Sequence, residues 1–102
     1  MPPTVIHQPR VAWDGACAFV RAAGSPSYPI FVDYVRQWLG PKLADDLADT
    51  RDRLFENLFR TGGDRYVADV EAGKWRARLE ELLRSHPETM DTVRELTSMV
   101  PA

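Results

Sequence analysis

The residues with the most chemical potential in this chain are few, and their spacing does not converge on a reaction. Asp45, Asp46, Asp49 and Asp52 crowd one short stretch, and carboxylates gathered this closely could hold a hard divalent cation. Helical spacing spreads most of them over a solvent face near a helix N-terminus, where negative charge is favoured without any ion. Cys17 is the single cysteine, far from the two histidines, His7 and His86, so no Cys/His zinc site is expected. Cys17 has no neighbouring base to activate it, no serine sits in a nucleophile elbow, and Gly62-Gly63 does not make a phosphate loop. The sequence therefore assigns no catalytic, cofactor-binding or metal residue, and the chain is expected not to be an enzyme.

Two other groupings carry more weight. Arg51 sits at the edge of an apolar helical stripe and Glu71 within another. The expectation is a buried polar pair, with the Arg51 stem on Trp75 and its head on Glu71. The second grouping is aromatic. Six of the ten aromatic residues lie between Trp13 and Trp38, and Ile30, Tyr34 and Trp38 recur at i, i+4 and i+8 beside an already apolar face. That ridge is either the most buried helix of the fold or a protein interface, where Tyr and Trp are favoured anchors. Around only about five helices, full enclosure is hard to arrange, so the ridge is expected at the centre of a two-fold homodimer.

The elements that must position these residues are helical. Pro41–Thr61 and Asp64–Arg84 are two amphipathic segments separated by Gly62-Gly63, and so short a break folds the second back along the first. Leu43, Leu47, Leu54 and Leu58 form one stripe of the first segment; Ala44, Ala48, Phe55 and Phe59 form another, which implies two packing partners. On antiparallel pairing Leu47 meets Leu79, Leu43 meets Leu82 or Leu83, and Leu58 meets Ala68. A helix from about Trp13 to Ala23 ends at Gly24-Ser25-Pro26, and another spans about Ser27 to Leu39 before Gly40. Ser85-His86-Pro87-Glu88 matches a capping box that would start a last helix. Gly73 is a place where the helix around it could kink. The fold expected is all-α, about five helices built on the 41–61 and 64–84 hairpin, with residues 1–11 an extended tail and 12–102 a single domain.

Composition narrows the function class. The 102 residues carry 27% charged and 44% hydrophobic side chains and a net charge of −2, an ordinary globular balance with no basic field for a phosphate backbone. The longest apolar run, Ala16 to Val20, is far short of a membrane span. No signal-peptide pattern opens the sequence, and a lone cysteine suits a reducing compartment, so a cytoplasmic protein is expected. Eleven of the thirteen basic residues are arginine. A helix-turn-helix built from the first two helices would present only Arg36 and Gln37 to base edges. The Lys74, Arg76 and Arg78 run is surrounded by Glu71, Glu80 and Glu81.

Asp49-Thr50-Arg51 with Leu54, then Trp75-Arg76-Ala77-Arg78-Leu79 with Leu82-Leu83, and finally a proline before Arg94-Glu95-Leu96 form a pattern over Ala12 to Leu96. In it the chain resembles a group of small, uncharacterised all-helical proteins of actinomycetes. The Ser25-Pro26-Ser27-Tyr28-Pro29 stretch departs from that group's more Ala-rich first segment. The resemblance implies the helical fold and transfers no activity. The leading expectation is a non-catalytic interaction protein, a homo-oligomer or an accessory subunit of another protein, with no cofactor. A DNA-linked regulator or antitoxin-like protein is the alternative, and an enzyme or ligand-binding domain with an inter-helix pocket the third.

Overall fold

The computed structural model describes residues 8–101, which form helices α1 (Gln8–Ala23), α2 (Tyr28–Leu39), α3 (Pro41–Thr61), α4 (Arg65–Ser85) and α5 (Met90–Ser98). A single 3-10 turn, Pro87–Thr89, precedes α5, and no strand occurs among the described residues. The fold is all-α and five-helical, as the periodicity requires. The first helix is longer than expected: it starts at Gln8 rather than near Trp13, so residues 8–11 of the expected tail are helical. Pro9 sits in the first turn, where its missing N–H is not needed. Val11 and Ala12 are buried, and Gln8 Nε2 donates to the Leu83 carbonyl at 3.3 Å. Residues 1–7 of that segment, His7 included, lie outside the described residues.

Glycine makes the two sharp reversals. Gly40 joins α2 to α3 alone, at φ 105°, and Gly62 ends α3 at φ 78°, both in the region closed to most side chains. Asp64 then caps α4 by accepting the Tyr66 N–H at 2.9 Å, and Asn57 Nδ2 donates across the turn to the Asp64 carbonyl at 2.8 Å. The hairpin is antiparallel: Leu43 and Leu82 line one groove between its helices, and polar pairs cross it, Asp46 with Arg78, Thr50 with Trp75 and Glu71, Arg53 with Glu71. Gly73 does not interrupt α4, which runs unbroken through it.

The hairpin is not the most intimate contact in the molecule. The most extensive helix–helix approach is between α1 and α4, and α1 also packs on α5 and α3. Small residues on α1 (Ala12, Gly15, Ala16, Ala22 and Ala23, all buried) let a neighbouring backbone come close. A Cβ at Gly15 would lie 3.0 Å from both Leu79 Cδ1 and Val93 Cγ1. Thus α1, not α2, is the central helix. The rings of Phe31, Phe19 and Trp75 step from α2 through α1 to α4, with centroids 5.2 and 5.1 Å apart. Leu47, Leu79 and Leu83 are fully buried in the resulting core.

The capping box does not form. Ser85 stays in the last turn of α4 and its Oγ donates to Glu81 Oε2 at 2.6 Å, while Glu88 pairs with His86 Nδ1 at 3.3 Å. Pro87 explains this: it removes a backbone donor just after Ser85, and the chain makes a 3-10 turn before α5 can begin.

Helix lengths decide what stays uncovered. α3 and α4 have 21 residues each, α1 has 16 and α2 has 12. At 1.5 Å per residue, roughly 24 and 18 Å of cover lie along roughly 31 Å of hairpin. α1 runs from Leu83 towards the Ala23–Arg51 contact, and α2 spans from the start of α3 back to Tyr28, beside Arg51. The hairpin tip continues beyond both as a two-helix arm, and the described residues extend 52 Å in one direction but only 25 and 23 Å in the others.

Candidate functional site

Glu71 lies at the level where that arm leaves the body, and its side chain is 1% exposed. Its carboxylate is saturated with donors. Oε1 accepts from Thr50 Oγ1 at 2.8 Å and from Arg53 Nη2 at 2.9 Å; Oε2 accepts from Arg53 Nε at 2.9 Å and Lys74 Nζ at 3.1 Å. Thr50 Oγ1 in turn accepts the Trp75 indole N–H at 2.8 Å. Burial by itself would raise the Glu71 carboxyl; the hydrogen bonds from Arg53, Thr50 and Lys74 outweigh it and bring the group down to about 2. With every lone pair used, Glu71 is a lock between α3 and α4 and has no free oxygen for a substrate proton.

Glu71 is thus buried as the sequence suggests, but its expected partner is wrong. Arg51 points the other way. Its Nη1 donates to the carbonyls of Ala23 at 2.8 Å and Ser25 at 3.3 Å, closing the C-terminal end of α1, where a cation meets orphan carbonyls and the negative end of the helix dipole. Its guanidinium carbon stands 4.5 Å from the ring centres of both Tyr28 and Phe55. Residues 51 and 53 lie 200° apart around a helix, so the one that faces α4 is Arg53. Trp75 still takes an arginine, but it is Arg78, at 4.9 Å. That ring face stands beside Arg78 Nη1, the one buried side-chain polar atom without a hydrogen bond among the described residues.

The remaining chemical candidates stay apart. Asp45, Asp49 and Asp52 are exposed, and Asp46 is taken by Lys42 at 2.8 Å and Arg78 at 3.5 Å. No three His, Cys, Asp or Glu residues among those described gather as a cation site. Burial raises the Cys17 thiol, Arg21 opposes this, and Asp14 and Asp69 add to it, which leaves a weak nucleophile. An open groove of about 570 Å³ between α3 and the end of α4 is floored by Leu39, Leu43 and Leu82. Lys42 and Arg78 in its wall share the single Asp46 carboxylate, and Glu81, Ser85 and His86 also line it, a mixed set with no histidine base held beside a nucleophile.

Apart from Trp13 on α1 and Met99, the large apolar side chains left open among the described residues fall into two groups. On α2, Phe31, Val32 and Val35 face the core, while Ile30, Tyr34 and Trp38 are 66%, 36% and 40% exposed on the outer side. Tyr34 and Trp38 pack ring on ring at 4.9 Å, and Trp38 borders a shallow hollow with Asp91, Thr92 and Glu95 of α5. The second group lies on the arm, where the α3 stripes that imply packing partners end in Leu58 and Phe59. There Phe59 is 87% and Tyr66 68% exposed, with Leu58 and Val70 also open to solvent. The α3 stripe expected to have its own partner is covered only as far as Phe55. Helix length held the missing signal: 12 residues of α2 cannot shield 21 of α3.

Comparison of the chain with protein-family models, with curated proteins and with solved structures finds no match.

Proposed function

We propose that this chain is a non-catalytic interaction protein, acting as a homo-oligomer or as an accessory subunit, and that the outer ridge of α2 is its contact face. The observation that carries this reading is the exposure of Ile30, Tyr34 and Trp38 as one continuous ridge on a helix whose opposite side is core. A ridge of two aromatic rings and an isoleucine has the composition of an interface centre. The simplest occupant is the same ridge of a second copy, since a two-fold contact needs only one self-complementary patch.

The pairing of the basic residues supports this class over a nucleic-acid role. Arg36 pairs with Asp33, Lys74 with Glu71, Arg76 with Glu80 and Arg78 with Asp46. A phosphate contact through any of these four would have to break its pair first. The saturated Glu71 and the weak Cys17 nucleophile likewise favour a structural role over catalysis. Light scattering tests the reading. Association at micromolar concentration is expected, and Tyr34→Glu should lower the mass without loss of helical circular dichroism. A mass that Tyr34→Glu leaves unchanged, with no other protein retained on the ridge, would defeat it.

A further inference from the structure

The two-helix arm beyond Glu71 presents a different surface from the α2 ridge. Its apolar side chains come from both helices: Leu58 and Phe59 on α3, Tyr66 and Val70 on α4. A helix pair in water can bury the side chains between its own two members, but not those on its outer faces, and bundles solve this by adding two more helices. We propose that the arm is a self-association element, in which two copies pack arm on arm to complete a four-helix bundle, separately from any contact at the α2 ridge.

Three observations select a second copy as the occupant. The first is charge. From Glu56 to Asp69 the arm carries Glu56, Asp64 and Asp69 against Arg60 and Arg65, with Glu56 and Arg60 already paired at 3.1 Å. Such a mixed rim does not repel its own copy, and it offers no field to a strongly acidic or basic partner. The second is area. Phe59 and Tyr66 each add on the order of 150 Å² of uncovered surface, and Leu58 and Val70 bring the apolar total to roughly 400–500 Å². That amount, spread over the outer sides of the two helices, is about half of the roughly 800 Å² per partner that a stable dimer buries, with the arm's arginines and carboxylates supplying polar area. The third is rigidity. The arm is fixed at its tip by Asn57–Asp64 and Thr61–Asn57 bonds and at its base by the Arg53–Glu71–Thr50 cluster, so it reaches a partner with little left to order.

This inference shares with the proposed function only the premise that the chain associates, and the test separates the two. The full chain, Phe59→Glu, Tyr34→Glu and the double variant are compared by light scattering at equal micromolar concentration, with circular dichroism melts alongside. The arm requires Phe59→Glu to cut the mass at least twofold in both the wild-type and the Tyr34→Glu background, at unchanged melting temperature. Should Phe59→Glu disturb the melt, Tyr66→Glu on the opposite helix must give the same cut. A mass halved by Phe59→Glu and untouched by Tyr34→Glu keeps the arm and removes the ridge. A Tyr34→Glu chain already at the single-chain mass of 11.6 kDa overturns the arm, as does a wild type that is monomeric throughout.

Discussion

Arg53 grips Glu71 through two parallel hydrogen bonds, Nε to Oε2 and Nη2 to Oε1, each 2.9 Å long. This is the geometry in which a guanidinium is hardest to replace, and it joins α3 to α4 just below the arm. A fully buried carboxylate is tolerated because its charge is paired and its oxygens are hydrogen-bonded, and the loss of any one partner is then costly.

Acid should therefore weaken the fold through this group. The Glu71 carboxyl is depressed from 4.5 to about 2 in the folded chain. A depressed carboxyl contributes stability that is complete above its unfolded value and vanishes as pH falls through the folded one. The window is thus from about pH 5 down to about pH 2, and the amount is on the order of 3 kcal/mol. Denaturant melts should show the gap between wild type and Glu71→Gln shrinking steadily from pH 6 to pH 2.5. A gap independent of pH would mean that Glu71 titrates normally.

Thr50 is the hinge of the same cluster, accepting from Trp75 and donating to Glu71. Thr50→Val keeps the shape and deletes both bonds, leaving a buried indole N–H and a carboxylate oxygen each short of a partner. A loss of about 2–3 kcal/mol is expected, whereas Thr50→Ser, which keeps the hydroxyl, should lose less than half as much. A Thr50→Ser loss as large as that of Thr50→Val would show that the methyl group matters as much as the hydroxyl.

Much of this architecture is legible in the sequence because glycine and period are local signals. Gly62-Gly63 marks the hairpin to within a residue, and the Phe31, Val32 and Val35 face gives α2 its register. Partner choice is not local. Arg51 and Arg53 are two residues apart with the same chemistry, and only the rotation of α3 against α4 decides which meets Glu71. The Ser85 motif fails for the reverse reason, because α4 keeps its last turn and Pro87 forces a 3-10 step. Ser85→Ala should accordingly change stability by less than about 0.5 kcal/mol, since its hydroxyl bonds only the exposed Glu81 carboxylate. The arm was hidden because its stripes look like core until the lengths of all the helices are compared.

Two glycines inside helices should respond in opposite directions. Gly73 is exposed, and a Cβ there meets nothing within 4 Å, so Gly73→Ala should stabilise α4 by about 0.5–1 kcal/mol. Gly15 stands where α1 meets Leu79 and Val93, each 3.0 Å from its absent Cβ. Gly15→Val should destabilise by about 1–3 kcal/mol through overpacking. A Gly15→Val chain that melts no lower than wild type would contradict the close approach of α1 to Leu79 and Val93.

Arg51 offers the sharpest check on the corrected pairing. Its head closes α1 by bonding the Ala23 and Ser25 carbonyls and lies between Tyr28 and Phe55, so it fastens the α1–α2 corner to α3. Arg51→Ala should lose about 2–3 kcal/mol, and Arg51→Lys should recover only part of it, because an ammonium cannot stack on two rings while donating from a planar fork. Arg51 and Glu71 share no hydrogen-bond partner, so in a double-mutant cycle Arg51→Ala and Glu71→Gln should add to within about 0.5 kcal/mol. The matching cycle of Arg53→Ala with Glu71→Gln should show a coupling of about 1–3 kcal/mol. A strong Arg51–Glu71 coupling with additive Arg53–Glu71 effects would restore the pairing that sequence spacing suggested and refute the observed one.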